Sequence, residues 1–378
     1  MERRTELDVL RGAFLLVMTM THLPTRWSEV FQQPVGFVSA AEGFVLLSAF
    51  LAGRVYLHQR QRLGARPALR ALLKRTFRLY LYHLALLAFA FSAIAWVAVA
   101  FDRPAVKGLL IFYLESPLTA ILTGVALLYR PALLDILPMY VNFLLLTPLA
   151  YYLARRWSWG AVLSLSGALW LVAQFGVRRA LETALLPALG LEELFTGAFD
   201  LLGWQFLWIC GLALAARPID RPPLSDRVFA LTVVLAVAFG AWRYLGGPHG
   251  GLETVGAMFL VDKWSLGPIR LLNVAVLTML LMGLNSRIQA WSAGPLARLG
   301  QSSLWVFCGH ALIVLLMLCL VDEDGPLEGP LGLAMLAVGY VSLFVFAALN
   351  RWKDRLQAPK PLATAEAGSC SSPGAPER

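Results

Sequence analysis

The stretch FRLYLYHLALLAFAFSAIAWVAVAF, residues 77–101, has one charged residue, Arg78, in 25 positions. About 20 predominantly apolar residues in a helix cross a bilayer, so this stretch predicts a membrane-spanning helix. The whole chain of 378 residues shares the bias, with 58% hydrophobic and 15% charged residues. Soluble globular proteins have about 45–50% hydrophobic and about 25% charged residues. A soluble or disordered protein is therefore excluded, and the chain is predicted to be an all-α integral membrane protein.

Apolar stretches of spanning length recur along the chain and predict a bundle of about ten transmembrane helices. They cover residues 7–23, 37–57, 77–101, 133–153, 161–175, 201–216, 228–245, 271–284, 303–321 and 331–349. Another apolar stretch, 108–128, is interrupted by Glu115, Ser116 and Pro117 and is predicted to be re-entrant or interfacial. Residues 1–356 thus form one predicted membrane domain. Residues 357–378, rich in Ala, Pro, Ser and Gly, form a predicted disordered cytoplasmic tail.

The basic residues predict the orientation of the chain in the membrane. Ten spans put both termini on one side, and 23 of the 32 Lys and Arg residues then fall on that side. By the positive-inside rule both termini are cytoplasmic. The net charge of +9 accordingly indicates topology, and no nucleic-acid partner is predicted. The nine basic residues on the other side are Arg26, Arg103, Lys107, Arg130, Arg178, Arg179, Arg243, Lys263 and Arg270.

One face of the first predicted span carries polar residues toward both ends. The residues of this face are spaced three or four positions apart, which places them on one side of a helix. They are Asp8, Arg11, Leu15, Met18 and His22. A rise of about 1.5 Å per residue places His22 roughly 16 Å from Arg11, toward the opposite membrane face. We predict that Arg11 contacts a substrate and that His22 is a catalytic base. The alternatives are an ion pair between Asp8 and Arg11 and an interfacial histidine.

Glu42 enters the second predicted span from the same membrane face as His22. A carboxylate just inside hydrocarbon is costly unless it is paired, protonated or exposed to a water-filled cavity. His22 is the predicted partner, which makes Glu42 the catalytic residue that orients the imidazole. The alternative is a carboxylate at a helix start, favoured by the helix dipole. Ala49 and Gly53, on the face of Glu42, predict the close approach of another helix.

A basic segment, residues 54–78, holds eight Lys and Arg residues in 25 positions and begins with Arg54. Arg75 and Arg78 are three residues apart and share a helical face. We predict that Arg54, Arg75 and Arg78 bind the phosphates of a nucleotide-bearing donor or of anionic lipid. The alternative is that the segment reflects topology alone.

Further polar residues within apolar spans are predicted substrate contacts. Tyr140 and His310 are both candidates for stabilising an oxyanion, and a satisfied core histidine is the alternative for His310. Trp204 is better explained by the aromatic belt at a membrane interface. No metal site is predicted, because Cys and His residues lack ligand spacing.

Several motifs occur in a definite order along the chain, and together they resemble the OpgC family of membrane acyltransferases. They are Glu6-Leu-Asp8-Val-Leu-Arg11-Gly12, Thr21-His22-Leu-Pro24, Ala40-Ala-Glu42-Gly43-Phe44-Val-Leu-Leu-Ser48, Asp135-Ile-Leu-Pro138-Met-Tyr140, Trp204-Gln205-Phe and Gly300-Gln-Ser-Ser-Leu-Trp-Val-Phe-Cys-Gly-His310. The resemblance covers nearly the whole chain apart from the tail.

The resemblance implies ten membrane helices in the bacterial inner membrane and kinship with the acyltransferase-3 group. It also implies transfer of an acyl group, typically succinyl, to osmoregulated periplasmic glucans. In that group His22 corresponds to a catalytic histidine, and Arg75 and Arg78 to contacts for acyl-coenzyme A (acyl-CoA), with no bound cofactor. Two positions depart from the family pattern. Thr21 stands where an acid often precedes the histidine, and Ser48-Ala49 stands where a Ser-Gly pair is usual; both departures bear on the acceptor more than on acyl transfer.

The residues and the resemblance predict one reaction, in which acyl-CoA docks on the basic surface and its thioester reaches His22 between the helices. A carbohydrate hydroxyl arrives from the other side and loses its proton to His22. The alternatives are a secondary transporter of a small anion or an envelope precursor, and a non-catalytic scaffold. Transporters commonly contain internal repeats, and residues 1–190 do not align with residues 191–350.

Overall fold

The computed structural model describes residues 4–192, 194–217, 225–284, 294–321 and 327–357. Within these ranges the fold is helical and contains no β-sheet. The α-helices are α1 (Thr5–His22), α2 (Trp27–Phe31), α3 (Ala40–Leu63), α4 (Ala65–Phe89), α5 (Ala95–Ala100), α6 (Pro104–Glu115), α7 (Pro117–Val125), α8 (Ile136–Arg156), α9 (Trp159–Gln174), α10 (Val177–Leu185), α11 (Leu201–Ala215), α12 (Asp226–Leu245), α13 (Pro268–Gly283), α14 (Pro295–Gln301), α15 (Ser303–Leu318) and α16 (Gly329–Gln357). A π-helical turn, Ala90–Ile94, joins α4 to α5, and short 3-10 turns are Pro187–Leu189, Leu252–Val255 and Met258–Val261.

A helix is present at each of the ten positions where the sequence predicts a span. By length and composition, five described helices can cross a membrane, or up to eight if each bent pair counts as one span. These numbers support a multi-pass membrane protein, whereas the count of ten and the cytoplasmic side of the termini stay predictions. Of the predicted tail, Gln357 is the last residue of α16, and residues 358–378 lie outside the described ranges.

Three pairs of helices are sharply bent at their junctions. The chain turns by 93° between α6 and α7, at the interruption that the sequence places at Ser116 and Pro117. It turns by 91° between α14 and α15. Because of this second turn, α14 packs along the first half of α1 while α15 carries His310 to the other end of α1.

Glycines bring α1 and α14 into backbone contact. A Cβ atom added to Gly12 would lie 2.1 Å from the carbonyl oxygen of Leu296, and one added to Gly300 would lie 1.8 Å from that of Asp8. Any larger residue at either position would therefore push the helices apart. This contact fixes the position of α1, and with it the position of His22.

A second close contact joins α3 to α11. A Cβ atom added to Gly211 would lie 2.6 Å from the Cβ of Ala49, and one added to Gly53 would lie 2.8 Å from that of Ala215. The close approach predicted from Ala49 and Gly53 is therefore confirmed. The large side chain of Trp208, on α11, is almost fully buried in this core.

We expect Gly12→Ala to lower the melting temperature, because the added methyl group overlaps the backbone of α14. Overpacking of this kind costs about 1–3 kcal/mol. Gly240→Ala is the matched control, since Gly240 lies in α12 and has open space around its Cβ position. Thermal unfolding in detergent, followed by size-exclusion chromatography, compares the two. Equal melting temperatures would show that the close contact is not needed.

Candidate functional site

Two cavities lie side by side within the helical bundle. The larger, of about 210 Å³, is the His22 cleft, lined by His22, Ser39, Asp135, Lys263, Trp264 and Phe307 among others. The smaller, of about 60 Å³, is the arginine cavity, lined by Arg11, Phe44, Ser48, Arg75, Tyr140 and Phe307 among others. Phe307 lines both cavities and so separates them. Candidate residues from opposite ends of the helices thus face two adjoining spaces.

His22 is held by a chain of hydrogen bonds that reaches back to its own helix. Its Nδ1 lies 2.9 Å from Nε2 of His310. Nδ1 of His310 lies 3.2 Å from Oγ1 of Thr19, and this hydroxyl donates to the carbonyl oxygen of Leu15 at 2.9 Å. His310 and Thr19 are both buried. We name this set the histidine relay: His22, His310, Thr19 and the Leu15 carbonyl.

The relay fixes which ring nitrogens carry protons. The Thr19 hydroxyl gives its only proton to Leu15, so it accepts from the N–H at Nδ1 of His310. A neutral imidazole has one N–H, which leaves Nε2 of His310 as the acceptor for the Nδ1 proton of His22. Nε2 of His22 is then unprotonated, and it belongs to a ring that lines the cleft. This is the tautomer that a general base requires.

The relay changes the predicted role of His310. Sequence analysis places it as a candidate donor to an oxyanion, but its two ring nitrogens are engaged by Thr19 and His22. With no free N–H, a neutral His310 cannot also bind an oxyanion. In this geometry its Nε2 accepts the Nδ1 proton of His22 and so orients that ring.

The predicted pair between Glu42 and His22 is wrong. Glu42 Oε1 accepts a hydrogen bond of 2.6 Å from Arg270, and both side chains are almost inaccessible to solvent. Its Oε2 accepts from the backbone N–H and hydroxyl of Ser39, which forms a capping box at the start of α3. A fully buried carboxylate is compensated by a permanently charged guanidinium, whereas a neutral imidazole leaves its charge unpaired. Glu42 therefore acts at the start of α3, as the helix-start alternative anticipates.

The structure separates the four predicted arginine contacts. Arg11 and Arg75 both line the arginine cavity, and the guanidinium of Arg11 also lies 6.0 Å from the ring centre of Phe44. Arg75 and Arg78 are both exposed, but Arg78 is not among the residues that line this cavity. Arg54 donates to the backbone carbonyls of Ala215 and Arg217 and so caps the end of α11. Arg11 and Arg75 are thus the two arginines that the fold brings together.

Tyr140, a predicted candidate for stabilising an oxyanion, lies on the arginine cavity and not in the lining of the His22 cleft. Its hydroxyl is near Ser48 but forms no hydrogen bond of acceptable geometry with a described residue. Its ring packs edge-on against Phe44 at 6.1 Å and Trp208 at 5.7 Å. Tyr140 therefore offers a buried hydroxyl to whatever occupies the arginine cavity.

An aromatic wall separates the two cavities. Phe307 stacks on Phe44 with a centroid distance of 6.4 Å. Phe307 also lies 6.3 Å from the ring of His310. We name Phe44 and Phe307 the aromatic wall, because Phe307 lines both cavities and contacts both Phe44 and His310.

Comparison with known protein families identifies the family of this chain. The family described as OpgC protein matches residues 3–355, nearly the whole chain. The chain belongs to the OpgC family. Comparison with curated proteins and with solved structures found no match. OpgC membership is consistent with a membrane acyltransferase-like role in glucan modification.

Three residues of the His22 cleft in this OpgC-family protein were not selected by sequence analysis. They are Asp135, Lys263 and Trp264. Asp135 precedes α8, and the other two lie in the loop before α13, where no helical periodicity places them on a face. Asp135 opens one of the motifs that resemble the family, whereas the only sequence signal for Lys263 and Trp264 was their chemical type beside apolar segments.

Burial shifts the pKa values of the two charged groups in the cleft. Desolvation raises the pKa of the Asp135 carboxyl to about 6, although its hydrogen bond from the N–H of Ala198 acts in the opposite direction. Desolvation also lowers the pKa of Lys263, while the nearby Glu42 and Asp135 carboxylates oppose this shift. Both groups lie outside the spanning helices, and burial is the main cause of both shifts.

We expect His310→Ala to lower kcat for acyl transfer by about 10–100-fold, the usual effect of losing a group that orients an imidazole. His310→Gln restores part of the rate, because an amide oxygen can accept the Nδ1 proton of His22. Thr19→Val gives a smaller loss than His310→Ala, and Thr19→Ser gives none. Steady-state kinetics in detergent measure these rates. Cys308→Ala, on the same helix, is the control, and a normal kcat for His310→Ala would contradict the relay.

Proposed function

We propose that this protein is a membrane O-acyltransferase that moves an acyl group from acyl-CoA to a hydroxyl of a periplasmic glucan or another envelope carbohydrate. One observation carries the proposal: a histidine with an available nitrogen and a cavity lined by two arginines meet at a single aromatic residue, Phe307. Membership of the OpgC family supports the same reaction class.

The acceptor side of the reaction takes place in the His22 cleft. The hydroxyl of the acceptor donates its proton to Nε2 of His22 as the oxygen attacks the thioester carbonyl carbon. The resulting imidazolium keeps its Nδ1 proton directed at His310, whose neutral Nε2 accepts it. When the tetrahedral intermediate collapses, the carbon–sulfur bond breaks and the proton on Nε2 passes to the coenzyme A thiolate. The products are the acyl ester and free coenzyme A.

The donor side of the reaction takes place at the arginine cavity. Arg11 and Arg75 supply positive charge to it, and arginine suits the recognition of anionic oxygens. The cavity, at about 60 Å³, holds no more than a few water molecules. An acyl chain entering it has to widen it, and the thioester reaches His22 when Phe307 moves aside.

The orientation of the chain assigns each substrate to one side. We place both termini in the cytoplasm and the protein in the bacterial inner membrane, on the distribution of basic residues. Arg75 then lies toward the compartment in which acyl-CoA is made, and His22 toward the compartment of the carbohydrate. A succinyl chain is the acyl group that the family resemblance favours.

Purified protein in detergent tests the proposal with acyl-CoA binding and transfer. We expect His22→Ala to lower transfer by about 10²–10⁴-fold, the contribution of a general base, with acyl-CoA binding retained. We expect Arg75→Ala to raise the KM for acyl-CoA by about tenfold or more, as for loss of a charged hydrogen bond.

Arg78→Ala is the matched control for the donor site. Arg78 lies one turn from Arg75 but outside the cavity lining. We therefore expect Arg78→Ala to raise the KM for acyl-CoA less than Arg75→Ala does. If folded wild type binds no acyl-CoA, the donor model fails and transport becomes the leading function. If His22→Ala transfers acyl groups normally, the proposed base is wrong.

Phe307, in the aromatic wall, lines both cavities. Phe307→Ala opens a path between the cavities, so we expect thioester hydrolysis without acceptor to rise several-fold relative to transfer, because water reaches the thioester. Phe307→Leu keeps much of the bulk and has a smaller effect. The ratio of free acid to acyl ester, measured by mass spectrometry, reports the change. An unchanged ratio in Phe307→Ala would show that the wall does not exclude water.

A further inference from the structure

The loop of residues 262–266, which we name the Trp264 loop, forms part of the His22 cleft but has no role in the acyl transfer steps described above. Hydrogen bonds from two helices hold its backbone. Nε1 of Trp204 donates to the carbonyls of Lys263 and Trp264 at 3.1 and 3.0 Å. The N–H of Asp200 donates to the Trp264 carbonyl at 2.9 Å. Trp204 is fully buried, so the belt position predicted for it is wrong.

The last two residues of the Trp264 loop, Ser265 and Leu266, are also held through their backbone carbonyls. Nε1 of Trp170 donates to the carbonyl of Leu266 at 2.8 Å, and Nε2 of Gln174 donates to that of Ser265 at 2.9 Å. Leu266 has a φ of +59°, a left-handed conformation that is unfavourable for leucine and persists where the surroundings over-determine it. The loop is thus a pre-organised element, and its two free side chains point toward the cleft that they line.

The cleft offers a mixed apolar and polar surface. The Trp264 indole is 45% exposed although it lies inside the protein's concave surface. The Lys263 ammonium lies 5.0 Å from its ring centre and has no ion pair within the described residues. The Asp135 carboxylate lines the same space. The cleft is therefore lined by one basic and one acidic side chain and not by groups of a single sign.

This combination matches the chemistry of a neutral sugar. A pyranose ring has an apolar face of C–H groups that packs on an indole, and hydroxyls around its edge that donate to carboxylates and accept from ammonium groups. Ligand sites typically combine such an aromatic surface with a few convergent polar groups.

We propose that the Trp264 loop and Asp135 form the subsite that binds a glycosyl unit of the acceptor, with the sugar ring on Trp264 and its hydroxyls on Lys263 and Asp135. The inference rests on the proposed function in identifying the acceptor as a carbohydrate. The subsite positions one hydroxyl of the bound sugar near Nε2 of His22.

Direct binding tests the subsite apart from catalysis. Neutral glucose oligomers of one to six units are titrated against the purified full chain in detergent, with saturation-transfer NMR as the readout. Wild type is expected to bind them, and Trp264→Ala to weaken binding by about three- to tenfold, as for loss of one stacking contact. Trp352→Ala is the matched control, because its indole is 63% exposed and lies in α16, away from the cleft.

Kinetics then separate the subsite from the proposed reaction. Trp264→Ala is expected to raise the KM for the glucan, whereas Trp352→Ala keeps the wild-type KM. Trp264→Phe keeps an aromatic face and restores part of the affinity, while Lys263→Gln and Asp135→Asn each raise the same KM.

The outcomes distinguish the two proposals. If glucans bind in a Trp264-dependent way but no acyl group is transferred, the subsite stands and the proposed reaction fails. If transfer occurs and Trp264→Ala has the wild-type KM, the subsite is wrong and the reaction stands. If wild type binds no glucose oligomer, the subsite is overturned. A Lys263→Gln defect with succinyl-CoA that is absent with acetyl-CoA would assign Lys263 to the acyl carboxylate and overturn its place in the sugar subsite.

Discussion

The surroundings of the cleft depend on one buried ion pair. Glu42 and Arg270 are almost wholly removed from solvent, and loss of either partner of such a pair typically costs about 3–5 kcal/mol because the other charge is left uncompensated. The same carboxylate caps α3 at Ser39, and the same guanidinium donates from Nε to the carbonyl of Val261, just before the Trp264 loop. This ion pair therefore fixes together the start of α3, the start of α13 and the Trp264 loop that precedes α13. The pair does not itself line the cleft.

In the proposed reaction, this arrangement keeps the requirements of the donor and of the acceptor apart. Anionic oxygens require permanent positive charge, which Arg11 and Arg75 supply on one side of the aromatic wall. A general base requires an unprotonated nitrogen, which the histidine relay supplies on the other side through neutral groups alone. A carboxylate placed beside His22 would also attract the cations. With Glu42 committed to Arg270, the base and the charged donor site do not compete for the same partner.

Sequence patterns predicted the features that depend on short chain separations. Apolar length placed the helices, the small residues Ala49 and Gly53 predicted close packing, and polar residues in apolar surroundings singled out His22, Arg11 and Arg75. The residues that contact these side chains from other helices could not be predicted in this way. His22 meets His310 across 288 positions, and Glu42 meets Arg270 across 228, and spacing along one helix carries no information about such contacts. The Trp264 loop was missed for the related reason that an irregular segment has no period to place its side chains.

Helix α12 is only slightly covered by the rest of the protein. In its most apolar window only 17% of the residues are buried inside the protein, so the described residues leave most of its apolar surface uncovered. Its end is nevertheless joined to the chain that leads to the cleft, through the edge-on contact of Trp242 with Phe37 at 5.2 Å and the hydrogen bond from Arg243 to Gln33. Thickness mismatch acts on spanning helices with fractions of a kcal/mol per Å. A change in lipid chain length therefore bears directly on α12, and these two contacts join α12 to the segment that includes Gln32 of the cleft lining.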